Sequence, residues 1–150
     1  MSNPRRKFNA IEQSMLFGQV NGICPKCGKS LVYTKNGKLH RKYEIAHIYP
    51  LNPTFEESEL LADEPILGRN GNSLDNLIPL CLDCHKIFDH PRTLEEYREL
   101  CHMKKRMIEN ENIKSTYSHY TISEEIISII KSLTDVPNDG SIVKLEYTAL

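Results

Sequence analysis

The chain has 150 residues, 19 Lys and Arg against 20 Asp and Glu, a net charge of −1, five cysteines and no tryptophan. That length supports one modest core, or a small site-bearing domain with helical additions. No apolar run approaches the roughly 18–20 residues of a membrane helix, and the near-neutral balance gives no global signal for a polyanion partner.

The N-terminal stretch MSNPRRKFNA has basic residues but no apolar segment after them, so no secretory signal is expected. The expected compartment is the cytoplasm, where thiols stay reduced and clustered cysteines point to metal rather than to disulfides. The periodicity of Phe8, Ile11, Met15 and Leu16 predicts a helix over residues 4–20, ended by Asn21-Gly22. Cys24-Pro25-Lys26-Cys27-Gly28 then reads as a zinc knuckle: the short loop sets two thiolates on one side, and Gly permits the tight backbone at its end. Residues 30–34 and 38–48 read as two strands around an Asn36-Gly37 turn. Period-two alternation would put Glu44, Ala46 and Ile48 on one face and Tyr43, Ile45 and His47 on the other.

Residues 50–75, with Pro50, Pro53 and Pro65, read as a long loop with at most a short helix near 55–62. Leu77 to Leu80 is a short apolar strand, Cys81-Leu82-Asp83-Cys84 a second knuckle, and a helix from Cys84 to Asp89 sets His85 and Asp89 one turn apart. Thr93 with Glu96 is a capping box opening a helix to about residue 110, and Thr121 with Glu124 opens another through Ile126, Ile127, Ile129, Ile130 and Leu133. Val143, Leu145 and Tyr147 alternate as a terminal strand, expected either to dock into a sheet or to lead into a longer natural chain.

Two constellations carry chemistry. Cys24, Cys27, Cys81 and Cys84 make a four-thiolate set suited to structural zinc, whose knuckles the intervening strands would bring together. Such a staple contributes folding energy to a small core. Cys101 is left over and reads as a helix residue. The second constellation is His47, Asn76, His85 and Asp89. Each alone has an ordinary structural explanation; together, on a four-cysteine frame, they weigh more.

The segments Glu44-Ile45-Ala46-His47-Ile48-Tyr49-Pro50, Asn76-Leu77-Ile78-Pro79-Leu80-Cys81 and Cys84-His85-Lys86-Ile87-Phe88-Asp89 resemble the HNH endonuclease family, in its zinc-bearing form with the ββα-metal fold. The resemblance covers roughly residues 22–92. It implies an α+β fold with a ββα-metal core stapled by the four-cysteine site, and a metal-dependent endonuclease hydrolysing DNA phosphodiester bonds. His47 would be the general base, and His85 with Asp89 would hold the catalytic Mg²⁺ or another divalent ion. Asn76 would orient the loop and His47 or lie close to the metal, and Glu44 would assist. Lys38, Arg41, Lys42 and Lys86 are near enough in sequence to hold the DNA backbone.

Two positions depart from the family pattern. Ala46 stands where many members carry a His or Asp metal ligand, and Asp89 where His is frequent. A hard divalent ion accepts carboxylate and keeps several waters, so His85 and Asp89 can suffice. The alternative is a catalytically inactive, zinc-stapled nucleic-acid-binding or adaptor module. The expected organisation is a nuclease domain with its N-terminal helix over residues 1–92 and a helical, partner-binding extension over 93–150. Compact chains of this kind resemble the nuclease partners of ATPases in bacterial anti-phage defence, including Septu-type and ABC three-component systems, which implies an ATPase partner protein.

Overall fold

The computed structural model describes residues 3–4, 6–117 and 122–134. They form two compact units, Met1–Ile113 and Lys114–Leu150. No helix among the described residues is long and apolar enough to cross a membrane.

Helix α1 spans Ala10–Gln19 and starts later than its periodicity predicts. Asn9 is the reason: its side chain accepts the Glu12 N–H at 2.9 Å while the Glu12 carboxylate accepts the Asn9 N–H at 3.0 Å. This capping box fixes the first turn. The buried face is also rotated from the one expected. Leu16 and Val20 enter the core, whereas Ile11 and Met15 are exposed. Asn21 and Gly22 then take positive φ, 51° and 69°, and end the helix as the sequence indicates.

The first knuckle closes through Gly28 N–H to Cys24 O and Cys24 N–H to Lys29 O, both 2.8 Å. Strands β1 (Val32–Lys35) and β2 (Lys38–Arg41) form an antiparallel hairpin across Asn36-Gly37, both at positive φ. The expected single strand over 38–48 breaks at Lys42, whose N–H is the last to reach this hairpin, at Leu31 O. From Tyr43 the chain enters a separate sheet as β3 (Tyr43–His47), antiparallel to β4 (Leu77–Cys81) with Ala46 opposite Ile78 and His47 opposite Leu77. Elements pack on this pair from more than one side, so Ala46 on one face and Tyr43, Ile45 and His47 on the other are all buried, while Glu44 is exposed.

Between β3 and β4 lie α2 (Phe55–Leu60), capped by Thr54, and a 3-10 turn at Leu74–Asn76. Helix α3 (Leu82–Asp89) follows β4 directly and packs on both strands, completing a ββα unit in an α+β fold. Helix α4 runs Leu94–Tyr117, beyond the end expected near 110. Its Tyr97, Leu100, Cys101 and Lys104 are buried with the first unit, and Glu96 accepts from Lys26 of the first knuckle at 2.7 Å. The first unit therefore extends past residue 92, the end expected from sequence, to Ile113. In the second unit α5 spans Ile122–Thr134, with Ile126, Ile127, Ile129, Ile130 and Leu133 exposed. The expected terminal strand at Val143, Leu145 and Tyr147 lies outside the described residues.

Candidate functional site

The ββα unit brings the two knuckles together. The Sγ atoms of Cys24, Cys27, Cys81 and Cys84 all lie within 4.8 Å of one another. Cys27 and Cys81 are 3.6 Å apart, close to the roughly 3.8 Å edge of a tetrahedron with about 2.3 Å Zn–S bonds. Backbone N–H groups already favour thiolate there, since Cys81 N lies 3.4 Å from Cys24 Sγ. Burial raises the Cys24 thiol, but the N–H groups of Cys81, Cys27 and Lys26 outweigh it and bring the pKa to about 7. Burial, then the neighbouring thiols, push Cys84 up. A divalent ion would resolve this crowding by taking all four as thiolates. The donor set fits zinc, and Cys101 lies outside it.

His85 projects from the first turns of α3 and is buried. Its Nδ1 is 2.7 Å from Glu44 Oε2 on β3, and its Nε2 is 3.1 Å from Asp89 Oδ2 one turn along the helix. The second contact lacks hydrogen-bond geometry, and Nε2 is a buried nitrogen with no hydrogen-bond partner among the described residues. A carboxylate on one ring nitrogen, with the other left beside a second carboxylate, is the pattern of a histidine ligand oriented from behind. Nitrogen and carboxylate oxygen together fit a divalent cation. The Asp89 carboxylate raises the His85 pKa, with burial opposing it. Burial raises Asp89 in turn, but His85 and Arg92 outweigh it and hold the carboxyl below its usual value.

His47 ends β3, buried, with Nε2 3.4 Å from Asn72 Oδ1 and its ring 6.4 Å from that of Phe8. Asn76 is fully buried and serves backbone groups alone. Its Oδ1 accepts Tyr49 N–H at 2.8 Å, and its Nδ2 donates to Tyr49 O at 3.0 Å and Gly71 O at 2.9 Å. Asn76 thus clamps the chain two residues beyond His47. Ala46, fully buried in the apolar core, offers no ligand atom.

Two clefts each take one of the carboxylates that touch His85 into their lining. One, of about 370 Å³, is lined by His47, Asn52, Thr54, Glu57, Asp89 and Arg92. The other, of about 400 Å³, is lined by Arg6, Lys7, Phe8, Gln13, Arg41 and Glu44. Glu44 in one and Asp89 in the other both touch the His85 ring. Of the residues expected to hold a phosphate backbone, Lys38, Arg41 and Lys42 lie on or beside the hairpin and Lys86 on α3, all exposed. Arg41 is partly engaged, donating to Gln13 Oε1 at 2.9 Å and Tyr43 O at 3.1 Å.

Sequence reasoning missed Arg92. Its buried guanidinium donates to Asp89 Oδ1 at 2.7 Å, Glu57 Oε1 at 3.0 Å and Ile48 O at 3.0 Å, and lies 4.2 Å from the Phe88 ring centre. The available signal was its position three residues after Asp89, just beyond a proline. Nothing local marks that arginine as buried.

Residues 21–93 match the family described as HNH endonuclease. No curated protein matches the chain.

Proposed function

With residues 21–93 belonging to the HNH endonuclease family, we propose that this chain is a metal-dependent endonuclease hydrolysing DNA phosphodiester bonds. The observation that carries the reading is His85: a buried ring fixed by Glu44 on one nitrogen, its other nitrogen unsatisfied beside Asp89. His85 and Asp89 would hold the catalytic divalent ion, Mg²⁺ or another. When bound, that ion supplies positive charge to the phosphate oxygens as negative charge develops there.

The protein's own groups do the rest. His47 is the general base, taking a proton from water, a task to which an imidazole nitrogen is suited. Asn76 fixes the peptide beyond it, and Asn72 lies against its ring. Arg92 occupies the outer oxygen of Asp89, leaving the oxygen that faces His85. Arg6 and Lys7 line the second cleft, and with Lys38, Arg41, Lys42 and Lys86 they are the cations for the phosphate backbone. The four cysteines hold structural zinc.

The test is plasmid nicking by the parent and a His47→Ala variant, with and without added Mg²⁺ or Mn²⁺. Nicking should require the added ion and fall by roughly 10²–10⁴-fold in the variant; equal nicking by both proteins overturns the role of His47. Ala46 favours a second reading, a zinc-stapled nucleic-acid-binding or adaptor module that does not cut. In that case titration would find no second divalent site sensitive to His85→Ala. Consistent with the anti-phage resemblance, we assign an ATPase as partner, with the exposed isoleucines of α5 as contact surface; co-purification with a neighbouring-gene ATPase is the expected result, and a fully active lone monomer the contrary one.

A further inference from the structure

The β1–β2 hairpin carries a surface whose aromatic rings the proposed cleavage chemistry does not use. From Lys29 to Tyr43 the sequence has no Asp or Glu, yet holds Lys29, Lys35, Lys38, His40, Arg41 and Lys42. In the hairpin register Tyr33 lies opposite His40 and Lys35 opposite Lys38. Side chains two apart on a strand share a face, so these four residues lie together, and all are exposed. The other face carries Val32, Thr34, Leu39 and Arg41, and Arg41 ties it to α1 through Gln13.

The exposed face is specific in its chemistry. The Tyr33 and His40 rings stack at 5.2 Å between centroids with 23° between planes, and Tyr33 remains 45% exposed. Beside this step, Lys35 and Lys38 sit directly opposite each other, an arrangement that costs stability when nothing neutralises it. Among the described residues no carboxylate pairs with either lysine. The complement of paired cations beside stacked rings is an anionic chain that carries flat rings of its own. Duplex DNA offers the phosphates but buries its ring faces in the stack; an unpaired nucleotide offers both.

We propose that this hairpin face binds a single-stranded segment of nucleic acid, one base stacking on the Tyr33–His40 step while neighbouring phosphates meet Lys35 and Lys38. The inference rests on the nucleic-acid substrate of the proposed function and deepens it: the preferred substrate would carry unpaired bases at a flap, gap, loop or end. Cross-strand aromatic pairs also steady hairpins by themselves, so the test must separate the two roles.

The experiment is fluorescence anisotropy of the full zinc-loaded chain with one labelled oligonucleotide, single-stranded and as blunt duplex, without added divalent cation. The single strand should bind tighter. Tyr33→Thr, which keeps a good strand former, should lose roughly tenfold in single-strand affinity with duplex affinity unchanged, and Tyr33→Phe should restore it. Replacing Lys35 and Lys38 by Gln should reduce the salt slope for the single strand by about 1.4. A duplex bound as tightly as the single strand overturns the proposal. So does a Tyr33→Thr variant that melts earlier but keeps the parent's preference. Absence of binding to either oligonucleotide removes the nucleic-acid reading as well. Tyr33-dependent binding without plasmid nicking overturns the cleavage reading alone.

Discussion

Lys104 shows what a single residue can cost this fold. It is fully buried on α4, with Nζ donating to Gln19 Oε1. Burial pushes its pKa down from 10.5 to about 8, against Asp75 and Glu111, which raise it. A lysine in the unfolded chain keeps its proton up to a pKa of about 10.4. Between about pH 8 and 10.5 the unfolded state thus binds more protons than the folded one, and stability rises with pH across that window. Below pH 8 both states are charged, and the buried ammonium costs about 3 kcal/mol. Lys104→Met, which keeps the apolar stem, should be about 1–3 kcal/mol more stable than the parent at pH 7 and converge with it toward pH 10.5. Urea unfolding of both proteins across that range checks this; a gap that ignores pH would refute it.

At the scale of elements, the site depends on how α3 is held against the end of β3. Hydrogen bonds inside each element cannot set that distance. Arg92 does: it joins Asp89 at the end of α3, Glu57 on α2 and the carbonyl oxygen of Ile48 just past β3. Three elements therefore converge on one guanidinium, which has the fork geometry to serve them together. Arg92→Met would leave the Asp89 and Glu57 carboxylates and a carbonyl oxygen without that partner, and should cost about 3–5 kcal/mol in urea unfolding. Arg92→Lys keeps the charge but loses the fork, and should fall between the two. Equal stability of parent and Arg92→Met would mean that α2, β3 and α3 meet without this contact.

For the molecule as a whole, the four-cysteine cluster joins the loop after α1 to the junction of β4 and α3, two places with fifty-three residues between them in sequence. A metal there would close a long loop and contribute its binding energy to folding. Cys27 is exposed, so Cys27→Ser removes a ligand while opening no core cavity, which separates loss of metal from loss of packing. The parent should contain one zinc per chain by atomic spectrometry, and should lose helical signal and melt earlier when a chelator strips it. Cys27→Ser should behave like the stripped parent. A chain that melts identically with and without chelator would show that its apolar core suffices.

Local features were legible in the residues. Both knuckles, the Asn36-Gly37 turn, the Asn21-Gly22 stop and a helix with His85 and Asp89 one turn apart follow from short-range geometry, and the structure contains each of them; the two knuckles meet in one four-cysteine cluster only through the fold. Long-range packing decided the rest. The strand over 38–48 breaks because Tyr43–His47 finds its partner at Leu77–Cys81, which no nearest-neighbour pattern encodes. The start of α1 is the exception: the local Asn9–Glu12 capping box sets it, and apolar periodicity does not register a cap. Arg92 became central, Asn76 became a backbone clamp, and Glu44 met His85 from forty-one residues away. Sequence determines which groups can bind metal or take a proton. Only tertiary structure decides which are buried, and which face each other, because those distances are set by how β3, β4 and α3 pack.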